Sequence, residues 1–196
     1  MPINSPRDHH QRRSIRLPGY DYAQPGAYFV TLCTHDREAL FGEVMADAMR
    51  LNPYGEIVSM VWQDLPRHYP RVELDAFVIM PNHVHGIIVL NDDDGVGAGL
   101  RPAPTLTKRH PLSEIVRAFK SFSARRINAL RATPGVPVWQ RNYYEHIIRN
   151  ELEWDAIRKY IDLNPDRWAL DHDHPANSLH PQPNTSDLYW REAGLE

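Results

Sequence analysis

VELDAFVIMPNHVHGIIVL, residues 72–90, decides the fold. Val72–Met80 and Val84–Leu90 are runs of apolar, β-branched and aromatic residues, and Pro81-Asn82 between them is a tight-turn signal. The stretch predicts a hairpin of two strands. Side chains alternate faces along a strand, so His83 and His85 point one way and Val84 the other. Two imidazoles placed so can share one metal ion. The spacing alone proves nothing: with 11 histidines in 196 residues, one His-x-His pair arises by chance in roughly every second chain of this composition. His172 and His174, in DHDH near the end of the chain, are a second pair without the turn and strand around it.

Upstream, AYFVTLCT (Ala27–Thr34) is rich in aromatic and β-branched residues and predicts a strand; a short one around Leu40–Val44 follows the turn HDRE. In NPYGEIVSMVWQDLPRHYP, Asn52 is a cap and Pro53 suits the first helical turn. Ile57, Met60, Val61 and Leu65 recur at helical spacing until Pro66 and Pro70 end the helix. Downstream, residues 91–111 read as a long acidic, Gly- and Pro-containing loop. Ser113 is the expected cap of a helix running to about Leu130, with Val116, Phe119, Ile127 and Leu130 as its apolar stripe. VWQRNYYEHII (Val138–Ile148) reads as a further strand, and Asn150 caps a last helix, ELEWDAIRKYIDLN, stopped by Pro165. Hairpins interleaved with helices make an α+β plan: an antiparallel β-sheet with helices packed on one face, ferredoxin-like or RRM-like. Residues 1–26 are read as a basic arm, 27–168 as the domain, and 169–196 as a Pro/His/Asn-rich tail.

A hydrophobic content of 42% with 24% charged residues is ordinary globular composition. No apolar run approaches the roughly 20 residues of a bilayer span, and the single Cys33 excludes an internal disulfide framework and a Cys-rich zinc site. The expected compartment is the cytoplasm. The net charge of −3 hides an asymmetry: residues 101–150 carry ten Lys or Arg against Glu114 and Glu145 only, while the last 26 residues carry five acids and one arginine. Such a basic segment points to a polyanionic partner on one surface.

A histidine pair is an incomplete site, because hard divalent ions want oxygen ligands as well. Tyr160 and Asn164 in KYIDLNP stand at i, i+4, so a phenol and an amide share one helix face. An amide oxygen can serve as a third ligand, beside a phenol that reaches the same phosphate. Tyr143 and Tyr144 are rival nucleophiles, but adjacent strand residues face opposite ways, so at most one can reach the site. These two and Trp139 read as core or base-stacking residues, beside Arg141 and Arg149.

RLPGYDY, YFVT, LFGEV, MPNHVHGII, VWQRNYYEHIIRN and YIDLNPDRW, in this order over residues 12–168, resemble the single-tyrosine HUH (His-hydrophobic-His) transposases, and within them the REP-associated tyrosine transposases. The resemblance implies the antiparallel-sheet fold and cleavage of single-stranded DNA near hairpins of palindromic repeats. His83 and His85 would then be metal ligands, Tyr160 the nucleophile, and Asn164 would stand where insertion-sequence relatives carry a ligand glutamine. The cofactor would be Mg2+ or Mn2+, and the protein, a monomer or homodimer, would act at the nucleoid. Arg117, Lys120 and Arg125 on the basic helix, Arg12, Arg13 and Arg16 in the arm, and Arg141 and Arg149 are the expected DNA contacts. His146 and Asp162 are candidate bases for the phenol. Two other readings stand beside this one: a non-catalytic single-stranded nucleic-acid binding module with an RRM-like sheet, and a phosphodiesterase using water as nucleophile.

Overall fold

The computed structural model describes residues 17–92, 108–171 and 174–177. Among these residues six strands and four helices follow one another as β1 (Gly26–Cys33), β2 (Gly42–Met45), β3 (Ala48–Leu51), α1 (Pro53–Gln63), α2 (Leu65–His68), β4 (Val72–Ile79), β5 (His83–Leu90), α3 (Leu112–Leu130), β6 (Tyr144–Ile148) and α4 (Glu151–Asp162). The main sheet has the order β4-β5-β1-β6, and every neighbouring pair is antiparallel. Omitting the β2-β3 hairpin and α2, the chain runs β1-α1-β4-β5-α3-β6, the βαββαβ plan of a ferredoxin-like core. Among the described residues no helix is long and apolar enough to cross a membrane.

The alternation of β1 and β5 divides the molecule. Tyr28, Val30, Leu32, Val84 and Ile88 pack with Val58, Val61 and Trp62 of α1 and with Ile115, Val116 and Phe119 of α3. Phe29 and Ile87 face the other way and pack with Ile157, Tyr160 and Ile161 of α4. The core helices α1 and α3 therefore share one face as expected, and α4 covers part of the second. That second cover gives the sheet a buried, two-walled site.

Where local signals were strong, the elements match the reading. The 72–90 hairpin forms, and Asn52 Oδ1 caps α1 by accepting the Tyr54 and Gly55 N–H groups at 2.9 and 3.0 Å. Elsewhere tertiary packing moved them. The buried stripe of α1 is Val58, Val61 and Trp62, while Met60 is 58% exposed. α3 starts one residue before Ser113, at Leu112 after Pro111, and its expected stripe residue Leu130 is exposed. β3 has no strong sequence signal, because its two-residue turn uses Ala46 and Asp47, both at positive φ (49° and 59°), instead of glycine or asparagine. The expected strand 138–148 is regular only from Tyr144. Before it, Trp139 makes a single bridge to Thr34, and the Lys120 ammonium donates to the Gln140 and Asn142 carbonyls at 3.0 and 2.9 Å.

Gly86, between His85 and Ile87 on β5, has a packing role. A Cβ there would lie 2.4 Å from the Trp62 ring, which stacks on Phe77. Gly86→Ala is expected to destabilise by about 1–3 kcal/mol through overpacking, read as a melting temperature lowered by about 2–4 °C per kcal/mol; an unchanged melting curve would show that Trp62 is free to move.

Candidate active site

His83 opens β5, and His85 follows one residue past Val84, so the strand delivers both imidazoles to the α4 face. Their ring centroids are 4.4 Å apart, and both side chains are buried. Neighbouring groups hold both rings, and an amide oxygen sets the His83 tautomer. His83 Nδ1 pairs with Asn82 Oδ1 at 2.9 Å, and the Asn82 amide in turn donates to the Arg37 carbonyl at 3.2 Å. His85 Nδ1 pairs with Thr31 Oγ1 on β1 at 2.8 Å. Asn82 Oδ1 can only accept, so His83 Nδ1 carries the proton and its Nε2 is the lone-pair nitrogen, as in metal-ligating histidines; at His85 the Thr31 hydroxyl can take either role. Phe29 stacks on His85 at 5.4 Å and 22°, fixing the ring plane.

α4 brings Tyr160 to the same point. Its hydroxyl lies 3.2 Å from His85 Nε2 across 75 residues of sequence. Asn150 caps the helix by accepting the Glu153 N–H at 2.9 Å. Asn164, one turn past Tyr160, is also buried, and its Oδ1 meets no donor in hydrogen-bonding geometry among the described residues. Tyr144 is the one of the adjacent tyrosine pair on this face, 6.3 Å from the Phe29 ring. Tyr143 faces the other core, under Lys120.

One further group was not foreseen. Asp171, assigned by sequence to the tail, is buried beside the histidines, and a nitrogen of His83, a nitrogen of His85 and a carboxylate oxygen of Asp171 all lie within 4.8 Å of one another. The chain turns back after Pro165 through a 3-10 turn, Trp168–Leu170. Trp168 lies 5.9 Å from the His83 ring and 4.8 Å from His174, and Asn177 Nδ2 donates to the Asp171 carbonyl at 2.8 Å. The DHDH word thus contributes its first aspartate. Its spacing signal concerned the histidines, and nothing in the sequence announces that a segment beyond Pro165 folds back.

Burial dominates the electrostatics. It pushes the His83 imidazole down to about 4, against upward pulls from Asp171 and the Asn164 amide, with Arg37 adding to the depression. His85 is held well below its usual range by burial and then by His83. Tyr160 is pushed above the ordinary phenol range by burial and by Asp171, with the Asn164 amide opposing. In the fold both imidazoles are neutral at pH 7, the form that ligates metal.

This has a consequence for stability. The unfolded chain protonates these histidines near pH 6.5, whereas the fold resists until about pH 4 at His83. Stability is therefore full above pH 6.5 and falls as the pH drops towards 4, by up to about 1.4 kcal/mol per pH unit for each histidine. Urea midpoints between pH 7 and 4 are expected to fall more steeply for the metal-free protein than for His83→Gln/His85→Gln; parallel slopes would contradict the burial.

The basic residues are placed less uniformly. Arg117 and Arg125 are exposed on α3, across the sheet from Tyr160, and Arg141 and Arg149 are exposed on either side of β6. Lys120 instead turns inward to the two carbonyls above, and burial pushes its ammonium down to about 8. Arg12, Arg13 and Arg16 lie outside the described residues. Trp139 is core, its Nε1 donating to Ser123 Oγ at 2.9 Å. His146 is paired with Glu153 at 2.5 Å, and Asp162 is exposed. Arg37, which the sequence reading passed over, sits at φ 56° in the turn before β2 and acts electrostatically on His83.

No protein-family model matches the chain. An uncharacterized protein of Haemophilus influenzae is 40% identical over 168 residues, covering 83% of this chain and 92% of the relative. A second H. influenzae protein, provisionally named a REP-associated tyrosine transposase, is 25% identical over 146 residues, covering 74% of this chain and 73% of its own. The solved structure of a REP-associated tyrosine transposase bound to a REP hairpin shares the fold, with a TM-score of 0.52 at 20% identity over 78% of this chain and 72% of that one. The chain is thus similar in sequence to a relative provisionally named a REP-associated tyrosine transposase, and it shares the fold of the solved hairpin complex.

Proposed function

We propose that this protein is a DNA transposase that cuts single-stranded DNA at hairpin-forming palindromic repeats through a covalent bond to Tyr160. One observation carries the reading: a phenol from α4 lies 3.2 Å from a strand histidine whose neighbours, His83 and Asp171, complete a metal-binding donor set. The named relative and the solved hairpin complex supply the class of substrate.

The donor set fits a divalent ion. Two neutral imidazoles, one carboxylate and a nearby amide oxygen form a mixed nitrogen and oxygen set, which favours Mn2+ over the more strictly oxygen-seeking Mg2+. His83, His85 and Asp171 would hold the ion, with Asn164 as an additional oxygen donor. When bound, it supplies Lewis-acid polarisation of the scissile phosphate. Tyr160 does the covalent work: its oxygen attacks the phosphorus in line, the phenolic proton is lost, and the 3′-oxygen leaves and takes up a proton. The product is a 5′-phosphotyrosine, and a 3′-hydroxyl can later attack it and rejoin DNA without ATP. Arg117 and Arg125 on the far face, with Arg141 and Arg149 flanking β6, would contact phosphates away from the cut.

A pure RRM-like binding module would leave the second sheet face open for bases. Here α4 covers part of it, and Phe29 is fully buried. The test is incubation of a labelled single-stranded hairpin DNA with the protein and Mn2+. A protein–DNA adduct that survives denaturation is expected; cutting without an adduct would point to water as the nucleophile, and binding without cutting to a binding module.

A further inference from the structure

α4 is also gripped from a side away from the histidines. On β4, an edge strand, the register with β5 shifts between Leu74 and Phe77, so Asp75 sits in an irregular stretch. Such bulges re-aim a side chain. The Asp75 carboxylate accepts hydrogen bonds from Trp154 Nε1 and from Arg158, whose Nε donates to Oδ1 at 3.2 Å and to Oδ2 at 2.9 Å, with a further Arg158 nitrogen 2.8 Å from Oδ2. Trp154 and Arg158 are one turn apart, and the guanidinium lies over the indole at 5.3 Å. At the start of α4, the Glu153 carboxylate accepts the Arg149 N–H and pairs with His146 of β6, both at 2.5 Å. The nucleophile helix is thus tied to both edge strands of the sheet.

Between these ties the helix rests on Ile157 and Ile161, apolar side chains that fix its distance from the sheet better than its rotation. Directional bonds on a flank fix rotation. Burial pushes the Asp75 carboxyl up, but the bonds from Arg158 and Trp154 outweigh it and hold it below its ordinary value, so the pair is ionised at neutral pH.

We propose that Asp75 is a positioning residue for Tyr160: by holding Trp154 and Arg158 it sets the roll of α4, and with it the place of the phenolic oxygen beside His85. This rests on the reading of Tyr160 as nucleophile. Adding the tyrosine side chain to the ~2.3 Å backbone radius puts the oxygen about 9 Å from the helix axis, so a roll of about 10° moves it about 1.5 Å. A displacement of that size is enough to lower an in-line attack about 10- to 100-fold. The ion pair itself is half-exposed at Arg158, where such pairs add little stability.

The test places 3-fluorotyrosine at position 160 of the full chain and records its fluorine resonance in Asp75→Ala, Arg158→Ala and the double variant. The parent is expected to show one buried-ring line. Each single variant should shift or broaden it, and the double variant no further than either. With Mn2+ and a labelled hairpin DNA, adduct formation should slow about 10- to 100-fold in each single variant, while hairpin affinity stays at the parent's value. A resonance unchanged in both single variants, with only the melting temperature lowered, would overturn the proposal. If the parent forms no adduct, the nucleophile reading fails by itself, and the fluorine line still decides whether Asp75 places the ring.

Discussion

Tyr160→Phe is expected to abolish covalent attachment to hairpin DNA, lowering its rate at least about 10⁴-fold, as removal of a nucleophile does when nothing replaces it. The substitution deletes one oxygen and leaves the ring. Its edge contact with Phe29 (6.0 Å, 81°) and its packing on His85 (5.1 Å, 63°) survive, so the site keeps its shape. What is lost structurally is one buried hydrogen bond to His85, a contribution of about 0.5–1.5 kcal/mol. Mn2+ affinity and hairpin binding should therefore match the parent while the adduct disappears. Tyr144→Phe, on the same face but without that bond to His85, is the control and should retain adduct formation. An adduct that persists in Tyr160→Phe and vanishes in Tyr144→Phe would transfer the role to Tyr144.

The second large effect concerns the ligand set. His83→Ala, His85→Ala and Asp171→Ala are each expected to weaken Mn2+ binding about a hundredfold or more, measured by titration calorimetry or by the loss of the free Mn2+ resonance. Removing an ordinary supporting group around a metal lowers affinity about 10- to 100-fold, and removing a ligand should do no less. The thermal consequence follows by mass action: at Mn2+ a hundredfold above its Kd the parent gains about 2.7 kcal/mol, and the three variants lose most of that gain. Asn164→Ala discriminates between third ligands. Its carbonyl oxygen is buried at the site, yet a neutral amide binds a divalent ion more weakly than a carboxylate, so its loss should be smaller than that of Asp171→Ala. The reverse order would make Asn164 the third ligand and Asp171 a bystander.

Much of the site was legible because short-range rules generate it. A Pro-Asn turn followed by a strand dictates that His83 and His85 share a face, and a capped helix dictates that Tyr160 and Asn164 do. Finding the first pair beside the second required the family resemblance, since no local rule connects residues 75 positions apart. Lys120 shows the limit in the other direction. As a sequence it is one of ten cations in a basic segment; in the fold, two carbonyls of the chain before β6 capture its ammonium. Met60 and Leu130 occupy helical positions that periodicity assigns to the core, yet both face solvent. A 3.6-residue period defines the width of an apolar stripe, and only the packed neighbours, Trp62 and Phe119 among them, select which edge is buried.

The sequence by itself determined the α+β plan, the central hairpin, the shared face of the two histidines and the identity of the helix that carries the tyrosine, because each follows from periodicity, caps and turns within a few residues. Tertiary structure alone decided that α4 lies on the sheet face opposite α1 and α3, that Asp75 in an irregular edge strand grips it, and that Asp171 returns from beyond Pro165 to stand within 4.8 Å of the histidine nitrogens. Those are non-local contacts. They are settled by burial of apolar surface and by satisfaction of buried polar groups across the whole chain, and no window of sequence contains both partners.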